Sequence, residues 1–278
     1  MSGRLHTEGL IVVQGAFSRQ WAAQFDDDLA GEFMDALRAP RGVAPRGWNR
    51  FYFEPYAEKV RGFLDLVTHP VLTALSEEMF GPDWQVVELG CDIPLPGAIN
   101  QPWHRDFPIP DVTRRERRLT SIAVNVPVMD VVDGPFQAVL GTQFYDSEDL
   151  EGGMFPPDAQ AAVLEARMQS FYAKMGDFSV RTGLILHRGS AMGIDSRMRQ
   201  VAILGITAQE DGAVVRRRQD PADPRPPRIR VSQGFYDSLD PELRAHLSHE
   251  VVSDTTRTLP PHRTEHTFEG LRMGRRAS

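Results

Sequence analysis

The chain has 278 residues, one cysteine and a formal net charge of −7, with 41% hydrophobic and 25% charged residues. A chain of that length and composition can bury a sizeable core as one large β-sandwich or barrel, without disulfides or a structural metal. The acidic balance argues against a nucleic-acid partner, since phosphate neutralisation needs surplus Lys and Arg on the binding face, and the single cysteine, Cys91, excludes an intrachain disulfide framework and suits a reducing cytoplasm.

Residues 1–10 lack the apolar segment of a signal peptide, and no run approaches the roughly 20 apolar residues of a membrane span. A soluble, cytoplasmic protein without membrane association is expected. Residues 8–14 read as a short strand. A helix follows over about 18–37, with Ser18 as N-cap and a buried stripe of Trp21, Phe25, Leu29 and Phe33 at four-residue spacing. Residues 39–47 are a Pro/Gly/Arg loop. Two shorter helices are expected near 55–66 and 70–80, the second opened by Pro70 and stopped by Gly81-Pro82. The grammar then changes to runs rich in Val, Ile and Thr at about 84–92, 119–128, 135–140, 177–186 and 198–208. Such strands suit an all-β sandwich with helices packed outside. Residues 144–175 interrupt them with a helical stretch around 158–174, an insertion placed to cover the barrel mouth as a lid. Residues 210–230 read as a loop, a late helix starts at Asp240-Pro241 and carries His246 and His249 on one face, and 253–278 is a polar tail. The expected organisation is a single catalytic domain over 1–252, with core strands about 84–208. The basic runs at 114–118 and 216–218 read as solvated.

The chemistry is concentrated in Trp103-His104-Arg105-Asp106-Phe107. On an extended chain, residues two apart point to one side, so His104 and Asp106 share an interior. An imidazole and a carboxylate so placed are two parts of a 2-His-1-carboxylate triad, which leaves iron positions open for co-substrate and dioxygen. The third ligand should be a distant histidine. His187, ending the apolar run Gly183-Leu184-Ile185-Leu186, is the candidate.

Three segments together resemble the phytanoyl-CoA dioxygenase family of Fe(II)/2-oxoglutarate oxygenases. They are Trp103-His104-Arg105-Asp106, similar to the family's Trp-His-x-Asp; Asp133-Gly134-Pro135-Phe136 through Gly141-Thr142-Gln143, similar to Asn-Gly-Pro-Leu…Pro-Gly-Ser-His; and Gly176-Asp177-Phe178 with Leu186-His187-Arg188-Gly189-Ser190 and then Arg199. The resemblance implies a mainly β fold with flanking α: a double-stranded β-helix, the cupin-like jelly-roll of two packed sheets, with N-terminal helices outside. It implies Fe(II) held by His104, Asp106 and His187, with 2-oxoglutarate and O2 as co-substrates. It also implies a basic residue on the distal 2-oxoglutarate carboxylate, because a guanidinium fork bonds a carboxylate in two places. Arg197 and Arg199 compete for that role, and Arg199 is preferred because it shares a strand face with Val201 and Ile203. Ser190 would fall in the family's Gly-Ser position and donate to the co-substrate. Asn125 reads equally as a pocket-facing polar group or a satisfied core asparagine.

The implied reaction is oxidation, above all hydroxylation, of an unactivated C–H bond in a small molecule, with release of succinate and CO2; secondary metabolism is one expected setting. The retained Asp106 argues against halogenation, since related halogenases replace this carboxylate with a small residue. Substrate contacts are expected from Trp103 and Phe107 beside the metal motif and from the cluster Trp48, Asn49, Arg50, Phe51 and Tyr52, above all Trp48, Arg50 and Phe51, whose other reading is a packing cluster. Two further functions stay open: a non-oxidative metal enzyme on a cupin-like barrel, for which His104, Asp106 and His187 would also serve zinc, and a silent binding protein on the same fold.

Overall fold

The Val-, Ile- and Thr-rich runs pair into two antiparallel sheets in the computed structural model, which describes residues 1–39, 42–145, 148–208 and 229–252. The strands of the two sheets are β1 (Leu10–Val13), β2 (Ala44–Pro45), β3 (Arg50–Phe53), β4 (Gln85–Pro94), β5 (Ser121–Pro127), β6 (Phe136–Val139), β7 (Gln169–Phe171), β8 (Phe178–Arg181), β9 (Leu186–Gly189) and β10 (Val201–Thr207). The larger sheet has seven strands in the order β1-β8-β5-β10-β4-β3-β2, and the smaller has three in the order β7-β6-β9. His104 extends the smaller sheet through an antiparallel bridge to His187. The two sheets face one another as a jelly-roll, in agreement with the expected fold class.

Alternation along each strand divides the large sheet into two unlike faces. On the outer face, Ile122, Val124 and Val126 of β5, Phe178 and Val180 of β8, and Ala202, Leu204 and Ile206 of β10 join the main apolar core. Helices cover this face. The longest, α2 (Arg19–Arg38) after α1 (Ser2–Glu8), starts where expected, with the Ser18 hydroxyl accepting the Trp21 amide at 3.1 Å. Phe25, Leu29 and Phe33 form its buried stripe, while Trp21 is only half-buried and stacks between Phe17 and Phe25. Each fully buried large apolar side chain contributes roughly 1.5–3 kcal/mol, so this face carries most of the fold's stability. The short helix α3 (Phe63–Val67) and α4 (Pro70–Phe80) complete the layer, with Pro70 at the first turn of α4 as expected.

Several elements depart from the sequence reading. The run 177–186 is not one strand. It breaks at Thr182-Gly183, so that β8 ends in the large sheet and β9 begins in the small one. Residues 50–53, read as a pocket-lining or packing cluster, form β3, which pairs with β4. The segment 158–174 is helical only through a short turn and α6 (Ala161–Arg167), after which β7 adds an edge to the small sheet; α5 (Asp111–Glu116) precedes it in the chain. The late helix splits into α7 (Gln233–Ser238) and α8 (Pro241–Ala245), between β11 (Ile229–Ser232) and the parallel strand β12 (His249–Val252). His246 and His249 therefore do not share a helix face: His246 stacks on Trp84 with ring centroids 4.0 Å apart, and His249 opens β12. The arginines at 114–118 are exposed, as expected. The basic run 216–218, most of the loop 210–230 and the tail 253–278 lie outside the described residues. Among the described residues no helix is long and apolar enough to cross a membrane.

Candidate metal centre

The bridge between His104 and His187 sets the geometry of the site. Each backbone amide donates to the other residue's carbonyl, at 3.1 and 2.8 Å, which brings the imidazoles to a ring separation of 4.4 Å. Both rings are anchored from behind: Nδ1 of His104 bonds the Pro102 carbonyl at 2.8 Å and Nδ1 of His187 bonds the Ile185 carbonyl at 2.9 Å. A carbonyl can only accept, so the proton sits on Nδ1 and the lone pair of Nε2 faces the interior. This is the tautomer a metal ligand needs. Burial also keeps the rings neutral. It lowers the pKa of His104 to about 4 and that of His187 well below the usual histidine value, where the Arg181 charge adds to the effect.

Asp106 completes the set. Its Oδ1 lies 3.6 Å from Nε2 of His187, and one donor atom each from His104, Asp106 and His187 fall within 4.8 Å of one another. Its Oδ2 accepts from the buried guanidinium of Arg181 on β8. Phe136 of β6 lies behind both partners, 5.4 Å from the His187 ring and 5.8 Å from the Arg181 guanidinium. Two neutral imidazoles and one carboxylate, buried and convergent, fit a divalent iron with open positions.

The opposite end of the same interior is cationic. Arg199 is 6% exposed, whereas Arg197 is exposed. Arg199 donates to the carbonyls of Asp133 and Gly134, both at 2.6 Å, and its Nε is buried without a partner. Burial lowers its pKa to about 10, with the neighbouring Arg50 as the next cause. Arg50 is 1% exposed; it pairs with Asp92 at 2.7 Å and donates to the Ser190 carbonyl at 3.1 Å. Its Nε and the second Asp92 oxygen are also buried and unpartnered. Two adjacent buried guanidiniums with orphaned N–H groups fit a carboxylate-bearing co-substrate. The room for Arg50 exists because position 189 is glycine: a Cβ there would lie 2.6 Å from an Arg50 nitrogen.

The other sequence candidates separate. The Ser190 hydroxyl donates to the Pro135 carbonyl at 2.6 Å, so its one proton is directed away from the interior. Asn125 faces inward from β5, 9% exposed, between Ser179 and Ile203 in the sheet register. Phe107 lines a cavity that also touches Asp106, Glu88, Ser121, Ala123, Gly183 and Gly205. Trp103 points away from it: its indole donates to Glu165 at 3.3 Å, lies under the Arg188 guanidinium, and packs with Leu164 and Leu186 on the back of the small sheet. Phe51 packs against the helix-side core, and Trp48 is 54% exposed. Within the insertion, Glu165 accepts from Arg188 at 2.9 Å on that same back face, and the Met154 carbonyl accepts from the Arg105 amide at 3.1 Å.

Sequence reasoning missed Arg181, Phe136 and Glu88, which lines the cavity and accepts from the Tyr52 hydroxyl at 2.5 Å; Tyr52 was expected in the pocket cluster, but its partner was not. For Arg181 a signal existed. Phe178-Ser179-Val180-Arg181 alternates apolar and polar residues, which assigns Ser179 and Arg181 to the inner face. For Tyr52–Glu88 there was none, because the contact crosses from β3 to β4 and uses the space above Gly90.

Residues 5–198 match the family model for phytanoyl-CoA dioxygenase (PhyH). Solved structures share the fold at low identity. HygX from Streptomyces hygroscopicus, with nickel and 2-oxoglutarate bound, is 14% identical, with a TM-score of 0.54 over 74% of this chain and 85% of its own. EctD from S. alaskensis, with 2-oxoglutarate and 5-hydroxyectoine, is 14% identical at 0.58, over 81% and 80%. The epimerase SnoN, in complex with Fe3+, alpha-ketoglutarate and nogalamycin RO, is 16% identical at 0.53, over 74% and 82%. No curated protein matches the chain.

Proposed function

The chain belongs to the phytanoyl-CoA dioxygenase family, and from that premise we propose that it is an Fe(II)- and 2-oxoglutarate-dependent oxygenase that hydroxylates an unactivated C–H bond of a small molecule. The observation that carries the reading is the convergence of His104, Asp106 and His187 on one interior point that shares its barrel with Arg199 and Arg50. Iron and 2-oxoglutarate bound there supply dioxygen activation coupled to decarboxylation of the co-substrate to succinate and CO2.

The protein's own part is positioning. His104 and His187 present their Nε2 lone pairs without first losing a proton, because burial already keeps them neutral. Asp106 brings the charge that favours a divalent ion. Arg199, with Arg50 beside it, anchors the distal carboxylate of 2-oxoglutarate; Asn125 offers an amide on the wall between. The substrate enters the cavity beside Asp106, where Phe107 and Ala123 give an apolar lining and Glu88 and Ser121 a polar one. Trp103, Trp48 and Phe51 serve packing or surface roles. The resemblance to HygX, SnoN and EctD supports the fold on which this site is built, and the proposed substrate is a small molecule of secondary metabolism.

The test is product formation. Purified protein supplied with Fe(II), O2 and 2-oxoglutarate should release succinate, with faster release when a candidate substrate is present. Succinate formation that is absent from wild type, or independent of added iron, would remove the oxygenase assignment.

A further inference from the structure

Resting on the metal site proposed above, we infer that Arg181 is a positioning residue for the carboxylate ligand: it fixes which oxygen of Asp106 faces the metal and holds it there. β8 delivers Arg181 to the inner face, in register with Leu10 of β1 and Ala123 of β5. Its guanidinium donates to Oδ2 of Asp106. The same turn holds Asp106 a second time, because the Asp106 amide donates to the Gly183 carbonyl at 2.7 Å. Gly183 also leaves the notch the side chain needs: a Cβ there would lie 2.9 Å from Oδ2 and 3.2 Å from the Asp106 Cβ. One stretch, 181–183, therefore fixes the carboxylate through backbone, side chain and shape, and then runs directly into β9 and His187.

The consequence is geometric and electrostatic. With Oδ2 engaged by Arg181, Oδ1 is the oxygen turned toward His187 Nε2 at 3.6 Å, so the aspartate offers the metal one oxygen. A carboxylate that rotated to offer both would take one of the positions that co-substrate and dioxygen require. The guanidinium also offsets the charge of a carboxylate that is only 13% exposed, at a site where an uncompensated charge is costly. Partners one shell out from a metal govern ligand orientation, and their loss typically costs 10–100-fold in metal affinity. Arg50 and Arg199 are held at the far end of the barrel, by Asp92 and by the carbonyls of Asp133 and Gly134.

The experiment is an anaerobic Co(II) titration of the full chain, reading both the dissociation constant and the visible ligand-field spectrum. Arg181→Met should weaken Co(II) binding by roughly 10–100-fold and change the spectrum, as the carboxylate turns. Arg181→Lys, which restores the charge without the fork, should recover part of the affinity but not the wild-type spectrum. Should Arg181→Met not fold, Arg181→Gln carries the same expectation. Arg188→Met is the comparison, since Arg188 is as buried but points out of the opposite face of β9 toward Gln137 and Glu165. It should lower the melting temperature and leave the Co(II) constant within about twofold. Wild-type affinity and spectrum in Arg181→Met or Arg181→Gln, or a loss no larger than that of Arg188→Met, would overturn the proposal while leaving the metal site standing. Failure of the wild type itself to bind Co(II) would instead remove the metal site and the proposal with it.

Discussion

The two faces of the seven-stranded sheet are made by the same strands and could hardly differ more. β5 sends Ile122, Val124 and Val126 outward into an apolar core under the helices, and Ser121, Ala123 and Asn125 inward. β10 sends Ala202, Leu204 and Ile206 outward, and its inward line runs from Arg199 through Val201 and Ile203 to Gly205. The outer face is stabilised by burial. The inner face holds Arg50, Arg181 and Arg199, several with buried N–H groups that lack partners, and such groups cost stability. Alternation thus lets one strand carry a stabilising residue and a functional residue side by side without either compromising the other.

A substitution on the inner face should give the largest functional effect. His187→Ala should abolish measurable Fe(II) binding while leaving urea unfolding of the metal-free protein nearly unchanged; a variant that unfolds early would show that His187 holds the fold. A substitution on the outer face should do the reverse. Leu204 is fully buried at the centre of β10, and Leu204→Ala should cost about 2–5 kcal/mol in urea denaturation, with Fe(II) affinity of the folded protein retained. Acid should expose the cost of the inner face. The folded pKa of His104, about 4, lies below the ordinary 6.5, and His187 shifts the same way. Their contribution is complete above about pH 6.5 and is lost as pH falls toward 4, because the unfolded chain then binds more protons. His104 alone should contribute on the order of 3 kcal/mol to this loss, readable as a falling melting temperature of the metal-free protein; a flat profile would mean that the imidazoles are hydrated. The smallest effect should come from Arg199→Met. It should raise the 2-oxoglutarate dissociation constant by roughly ten- to hundredfold, equivalent to about 1.5–3 kcal/mol for a charged hydrogen bond, without changing Fe(II) affinity. Equal weakening by Arg197→Met would reassign the anchor.

Much of the outer face was legible in the sequence because period and capping are local. Ser18, the stripe Phe25, Leu29 and Phe33, and the run Val201 to Thr207 announce themselves within one turn or a few alternations. The metal triad was legible for a related reason: His104 and Asp106 are two residues apart on extended chain, and His187 ends an apolar run. What the sequence did not reveal depends on contacts between strands far apart in the chain. Trp103 adjoins His104 yet points to the opposite face, where Glu165 and Leu164 of the insertion meet Leu186 and Arg188 of β9 around it. Ser190 sits in the expected motif position, but its hydroxyl is directed by Pro135, brought there by the pairing of β6 and β9. Alternation could place Arg181 on the inner face, but its pairing with Asp106, 75 residues away in the chain, was not legible. The break at Thr182-Gly183, which the Thr182 amide marks by bonding to Gly9 across the sheet, is set by tertiary contacts.

The claim that the inner face is an iron and 2-oxoglutarate site is tested most directly by anaerobic titration of 2-oxoglutarate into the Fe(II)-loaded protein, following the weak visible charge-transfer band of the chelate. The account predicts a saturable band in wild type that is absent in His187→Ala and needs far more co-substrate in Arg199→Met. Iron binding without any band in wild type would contradict it, and would move the protein to another metal chemistry on the same barrel.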